Sequence, residues 1–382
     1  MRFLACFVLC IVCLAGAMSL NTSVIDLSPA PLAPLPMEAV QARGQVRNIA
    51  PLPEEPEEES WEDKVLVISC VGDILPGGDT KDGSLNAFNN AWQAQSLAAS
   101  YFLDDFGVLF LSDDITIGSL EGIVTDTLSE VERPEVAKEN KQAQEDLRGQ
   151  GYRMRVPVAN LVMLKTGGID ALSVANDHWE DFGPQGQYET IEALKDVGIQ
   201  SFGWESIATF ECEGALIGIV GYNAYEGEEA LAELMAGDLP LLKEQYDFLI
   251  VSIHWGQGLS ESVTQTQQTL GCQAIDLGAD LVVGQGAHAL QGTEIYKNKR
   301  IVYGLGDFLY GAVDRRGAQS MVYRLELTLG RNNTITYLSE KFIPVVLGSE
   351  TEPYRPFRQN DAQALMTKLD ELNALLPIKQ GE

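Results

Sequence analysis

Histidine is the scarcest ionisable residue in this 382-residue sequence: there are only His178, His254 and His288. Any site built on imidazole must draw on those positions. Basic residues are also few, 26 Lys and Arg against 55 Asp and Glu, for a formal charge of -29. That balance argues against non-specific binding to nucleic acid or to anionic membrane surfaces. Cysteine is sparse and badly placed for cross-linking. Cys6, Cys10 and Cys13 lie in the N-terminal apolar run, which holds the one C-x-x-C spacing, Cys10 to Cys13, and Cys70, Cys212 and Cys272 lie far apart with no such pair among them. A disulfide framework and a thiolate zinc finger are therefore disfavoured, and the later cysteines read as small core residues. No repeat of solenoid length is present.

What is there begins with an apolar run. Residues 1–20 carry one charge, Arg2, and include Ala15-Gly16-Ala17, a small-residue cleavage pattern. They read as a signal peptide or an N-terminal membrane anchor, so the rest of the chain is expected to be exported to the extracellular side or the cell surface. Residues 21–63 are rich in Pro and Glu, a composition that cannot bury enough apolar surface to fold, and they read as a linker. The folded body is expected over 64–345, with a C-terminal extension, 346–382, that contains an amphipathic helix over 360–376.

Within the body, short β-type runs alternate with helical patterns, the signature of an α/β fold. The stretch 247–308 is the clearest. Two apolar runs, 248–253 and 281–283, flank a helical segment over 264–278 that closes on a glycine. That is a β-α-β unit, whose strands must be parallel. Other helices are predicted over 86–106, 158–166, 184–197 and 226–246, and hairpins over 210–220 and 294–303. Alternating runs over 320–329 and 334–338 predict antiparallel edge strands, and 126–152 a polar surface excursion. The whole predicts a mixed sheet, largely parallel, flanked by helices on both faces.

Ligands of parallel α/β sheets gather beyond the carboxyl ends of the strands. Asp73, Glu121, Asn176 with His178, His254 and His288 all follow β-type runs. Carboxylate, amide oxygen and imidazole are the donors of hydrolytic Zn, Mn or Fe centres, which lower the pKa of bound water and polarise a phosphoryl or carbonyl oxygen. Singly, each has a plainer reading: a Gly-Asp after a strand is usually a turn, and a lone histidine is more often hydrogen-bonded than a ligand. Their recurrence at successive strand ends is what points to a site.

The ordered set V-G-D-I-L-P-G, S-L-E, A-N-D-H-W-E-D-F-G-P-Q-G, S-I-H-W-G, I-D-L-G-A-D-L-V-V-G-Q-G-A-H-A-L-Q-G and Y-G-L-G-D-F, spread over about residues 65–345, resembles the CapA family. These are bacterial poly-γ-glutamate capsule biosynthesis proteins with a calcineurin-like metallophosphoesterase fold, so the resemblance implies α-β-β-α layers. It also implies one or two divalent ions held by Asp73, Glu121, Asn176, His254 and His288. His178 would act as acid or phosphate contact with Asp177 beside it, and Gln285, Gln291 and Asp307 would meet substrate. The implied partners are an anionic surface polymer or a phosphate-bearing intermediate, and membrane-bound capsule synthesis machinery.

The sequence departs from the family pattern at several motif positions. Ser119 replaces the Asn of Asn-Leu-Glu, and Asp177 sits in the middle of Asn-Asn-His. Gly286 occupies the place of the first His in His-Pro-His, and Asp307 that of the Asn in Gly-Asn-Phe. The missing imidazole leaves a full two-metal site short of a ligand, which Gln285 or Asp177 would have to supply in part. Three readings follow: a metal-dependent hydrolase serving polymer assembly, a surface protein that kept the fold without the chemistry, and a general secreted phosphoesterase. Lys297, Lys299, Arg300, Arg315 and Arg316 read either as an anion-binding patch near the site loops or as a solvated hairpin turn.

Overall fold

The strand Lys64–Leu75 is apolar along most of its length, and this dictates the layers around it. Leu66, Ile68 and Cys70 pack into one core, and Val71, Ile74 and Leu75 into another. A strand buried on both faces must lie inside a sheet that is covered on both sides. In the computed structural model, which describes residues 63–127, 152–313 and 315–377, that is its position. The signal or anchor expected in 1–20, all but the last residue of the linker, and most of the polar excursion lie outside the described residues.

The first sheet has eight strands. Seven run in the spatial order Pro356–Arg358, Ile335–Leu347, Gln319–Leu329, Lys64–Leu75, Ile115–Leu120, Ala171–Ser173 and Gln200–Phe202, and Asp307–Tyr310 pairs with the end of Lys64–Leu75. From Lys64–Leu75 to Gln200–Phe202 the pairing is parallel; on the other side it is antiparallel. The second sheet has six strands, in the order Thr293–Tyr296, Lys299–Val302, Leu281–Gln285, Phe248–His254, Ala215–Asn223 and Ile207–Cys212. Its middle four are parallel. The β-α-β unit is as the sequence predicts. Phe248–His254 runs parallel to Leu281–Gln285, joined through the helix Gln265–Asp276, whose start is fixed by a capping box between Thr264 and Gln267.

The two sheets face each other. Leu66, Ile68 and Cys70 of the first share one core with Ile217, Ile219, Ile250, Leu281 and Val283 of the second. Helices cover both outer faces: Phe88, Phe106, Phe110 and Leu194 on the first sheet, Leu231, Met235, Leu239 and Leu270 on the second. The result is the α-β-β-α sandwich that the resemblance implies, with two sheets where the strand pattern alone reads one.

Two other expectations change. The helix predicted over 86–106 is broken into Ser84–Ala94, a short 3-10 turn Tyr101–Leu103, and Asp104–Phe110. The break falls where Ser96 and Leu97 both take left-handed backbone, with φ of 57°, which no right-handed helix can pass through. The strand Gln319–Leu329 is not at an edge. It pairs with Lys64–Leu75 on one side and Ile335–Leu347 on the other, because Met321, Tyr323, Leu325 and Leu327 belong to the core between the sheets. The chain beyond 345 continues this fold. Pro356–Arg358 extends the first sheet, and Ala362–Asn373 places Leu365, Leu369 and Leu372 in the same inter-sheet core.

Candidate metal centre

The carboxyl ends of the parallel strands of both sheets meet at one rim, and backbone and side-chain hydrogen bonds lock them there. Asp73 N–H donates to Gly306 O at 3.1 Å, Gly286 N–H to Asp73 Oδ2 at 2.9 Å, and Gln285 Nε2 to Val71 O at 3.2 Å. Gly72 allows this approach, since a Cβ there would lie 1.6 Å from Gly306 O. Asp73 itself sits on the bulged end of its strand.

Around this seam the sequence-predicted residues converge. His288 lies 3.7 Å from Asp73 Oδ2, 3.2 Å from Glu121 Oε1 and 2.7 Å from Asp307 Oδ1. His254 Nε2 is 3.3 Å from Asp177 Oδ1, and His178 Nε2 is 3.9 Å from Glu121 Oε1. Asn176 stands beside them. Its Nδ2 donates to Leu120 O at 2.7 Å and its Oδ1 accepts the His178 N–H at 2.9 Å, which leaves one acceptor lone pair. Gln285 ends its strand in register with His254, buried, with Oε1 unpartnered. Gln291 is different. Its amide is spent on Gln267 Nε2, Ser260 O and Ser262 O at 2.7, 2.9 and 3.1 Å, and it is fully buried, so it pegs a loop rather than offering a contact to substrate.

The structure adds partners that the sequence reading did not assign. His178 Nδ1 and Met154 N–H both lie 2.8 Å from Asp181 Oδ2, so a carboxylate fixed by backbone aims the imidazole. Asp181 lies three residues from His178 in the same motif, a spacing that a turn brings together. Tyr310 OH donates to Glu121 Oε1 at 3.3 Å; the two are remote in sequence and nothing there signals the pair. Among the five basic residues, Lys297 pairs with Asp276, Lys299 with Asp280 and Arg300 with Glu340. Arg315 Nε instead stands 2.9 Å from Asp307 Oδ2, inside the cluster.

Burial sets the electrostatics. Asp73 is buried, and its carboxyl is pushed up to about 7 by burial and by the charge of Glu121. Burial also works to raise Glu121, but His288, His254 and His178 outweigh it and hold Glu121 below the usual range. For His178 burial opposes the charge, yet Asp177, Asp181 and Glu121 lift the imidazole to about 9. His254 and His288 are likewise raised against burial, by Asp177 and by Glu121 with Asp307 respectively.

This donor set fits a divalent cation. Among the described residues two trios, Asp73 with His288 and Asp307, and Glu121 with Asp177 and His178, each bring one ligand atom apiece within 4.8 Å of one another. Asp73 Oδ1 and Glu121 Oε2 are buried with no hydrogen-bond partner. A desolvated anionic oxygen left unpaired is costly, and a cation is the partner that removes the cost. Asp307, which the resemblance assigns to substrate, stands among these ligand groups.

The fold is an α-β-β-α sandwich with carboxylates and imidazoles gathered at the shared rim of its sheets. Residues 67–312 match the family described as bacterial capsule synthesis protein PGA_cap, and the chain belongs to that family. A PGA biosynthesis protein CapA of Bacillus subtilis (strain 168) is 26% identical over 277 residues, covering 67% of this chain and 66% of that one. A capsule biosynthesis protein CapA of Bacillus anthracis is 27% identical over 170 residues, covering 38% of this chain and 41% of that one. The chain thus spans just under two thirds of the first relative and about two fifths of the second. A solved structure of a hypothetical protein from Thermus thermophilus is similar at 12% identity and a TM-score of 0.40, covering 73% of this chain and 99% of that one.

Proposed function

We propose that this chain is an exported, metal-dependent phosphoesterase-like protein that serves the assembly of a poly-glutamate-type surface polymer. The observation that carries the reading is the pair of ligand trios, buried at Asp73, Asp307 and Glu121 and half-buried at the rest, with orphaned Asp73 and Glu121 oxygens. Family membership and the printed names of the Bacillus relatives support the polymer. The apolar run of 1–20 supports export and contact with membrane-bound synthesis machinery. The substrate is an anionic polymer or a phosphate-bearing intermediate.

Asp73, Glu121, Asp177, His254, His288 and Asp307 would hold one or two Mn, Zn or Fe ions. When bound, such an ion supplies Lewis acidity and a water of lowered pKa. The chain's own residues supply the rest. Asp181 positions His178 at Nδ1 and favours its imidazolium, so Nε2 would carry the proton that a leaving oxygen needs. Arg315 beside Asp307 offers the cluster's neighbouring positive charge for an anionic group.

The test is metal analysis of protein purified without chelator, followed by phosphodiester turnover with and without Mn. Stoichiometric metal with metal-dependent turnover supports the reading. Absence of binding at millimolar Mn or Zn, with unchanged thermal stability, favours the fold without the chemistry.

A further inference from the structure

Beside the cluster lies an open cavity of about 410 Å³ that none of the chemistry above uses. Its lip is a tight turn. Gly203 and Ser206 exchange backbone hydrogen bonds of 2.8 and 2.9 Å, leaving Trp204 and Glu205 at the tip. Trp204 has a left-handed backbone, φ 59°, yet it is 49% exposed. A large aromatic residue in a strained conformation that core packing does not demand is an observation that calls for a use.

The cavity adjoins the cluster through its walls. Ala175, which lines it, immediately precedes Asn176, and Asn223, which also lines it, is the register partner of His254. The Trp204 ring lies 6.3 Å from that of Trp179, the residue after His178.

We infer that this cavity is a subsite for a primary ammonium group. Its lining combines the aromatic rings of Trp204 and Tyr222, the apolar Leu231 and Leu234, and one carboxylate, Glu205; no Lys or Arg lines it. Glu205 has no ion-pair partner among the described residues. Ring faces attract a cation, and an unpaired carboxylate attracts it further. A second anion would meet Glu205 with nothing to offset the repulsion. Placed next to a cluster that takes an oxyanion, the subsite selects a zwitterionic substrate, one with an amine near its phosphate or carboxylate. That last step rests on the proposed function; cation binding in the cavity does not.

The test is NMR of the indole N–H signals of the full chain, which has five tryptophans, with Trp204 assigned by the signal lost in Trp204→Phe. Titration with n-butylammonium is expected to shift the Trp204 signal saturably, and glucose at equal concentration is not. Glu205→Gln is expected to weaken the ammonium response roughly tenfold, the loss of a charge-assisted contact. The response is expected to survive in Asp73→Asn even if phosphodiester turnover is absent from every variant and from wild type. No saturable shift, an equal shift with glucose, or no effect of Glu205→Gln would overturn the assignment. Loss of the response in Asp73→Asn would also overturn it, by placing the ammonium in the carboxylate cluster.

Discussion

Gly286 leaves no room for a side chain beside His254: a Cβ built on it would lie 2.6 Å from both Cε1 and Nε2 of the imidazole. The same Nε2 stands 3.3 Å from Asp177 Oδ1. Two positions that depart from the pattern the resemblance implies therefore meet at one ring. Asp177 supplies a carboxylate there, and Gly286 supplies space together with an N–H to Asp73 Oδ2. Gly286→Ala adds a methyl at φ +86°, a left-handed conformation that costs an L-residue about 1–2 kcal/mol, and pushes against His254. We expect it to lower Tm by several degrees and to weaken Mn binding at least tenfold, measured by calorimetry. Unchanged metal affinity would show that His254 is not a ligand.

The pH dependence of the metal-free protein follows from Asp73 and His178. The Asp73 carboxyl, near 3.9 in an unfolded chain, is raised to about 7 by burial and Glu121. Folding therefore favours its protonated form, and that contribution is lost as pH rises toward and through 7. His178, raised to about 9 by its carboxylates against burial, contributes stability that is fully present below about 6.5 and lost as pH rises through 9. Both groups act in the same direction. In chelator-treated protein Tm is expected to fall between pH 5 and pH 9, all other groups being equal across the variants compared. Asp73→Asn, which removes the buried charge and keeps an acceptor for Gly286 N–H, is expected to have the higher Tm at pH 8 and no advantage at pH 4. Differential scanning calorimetry of the two proteins across that range decides it.

Much of this site is legible in the sequence because period and punctuation survive there. The run before His254 and the run before His288 are short, apolar and bounded, and the capping box at Thr264 with Gln267 marks the crossover helix between them. Strand ends of a parallel sheet share one edge, so the strand pattern groups Asp73, Glu121 and His178 on one sheet and His254 and His288 on the other, and the facing of the two sheets joins the groups. What is not legible depends on tertiary contact. Gln291 looks like any loop amide until Gln267 and Ser260 are seen to consume it. Glu121 and Tyr310 are joined only by the meeting of distant strands. The interior position of Gln319–Leu329 is hidden because its alternation from Tyr323 onward, with every second residue buried, is the pattern of an edge strand as well.

The helix Ala362–Asn373 tests whether the C-terminal segment is part of the folding unit. Asp361 caps it by accepting Ala364 N–H at 2.9 Å, and Leu369 is 1% exposed in the core between the sheets. Leu369→Ala removes buried methyl groups where the neighbours relax only partly, a loss of about 2–5 kcal/mol. We expect a lower urea midpoint with unchanged slope, and Mn affinity as in wild type. A midpoint that does not move would mean the helix contributes nothing to the fold.

The last prediction separates holding a metal from moving a proton. His288 stands in one candidate trio and His254 meets the other through Asp177, so on the proposed function replacing either with Ala is expected to abolish tight metal binding. His178 is held by Asp181 at Nδ1 with Nε2 free to serve a leaving group, so His178→Ala is expected to retain metal while turnover falls by about 10²–10⁴, the usual worth of a positioned acid. Asp181→Asn keeps the shape but removes a charge that raises the imidazole. Its pH–rate profile is expected to lose activity on the alkaline side at lower pH than wild type, because His178 then gives up its proton sooner. Metal content by elemental analysis and a pH–rate profile on a phosphodiester substrate measure both effects. An alkaline limb that stays in place in Asp181→Asn would remove His178 from the role of acid and leave it a structural contact to Glu121.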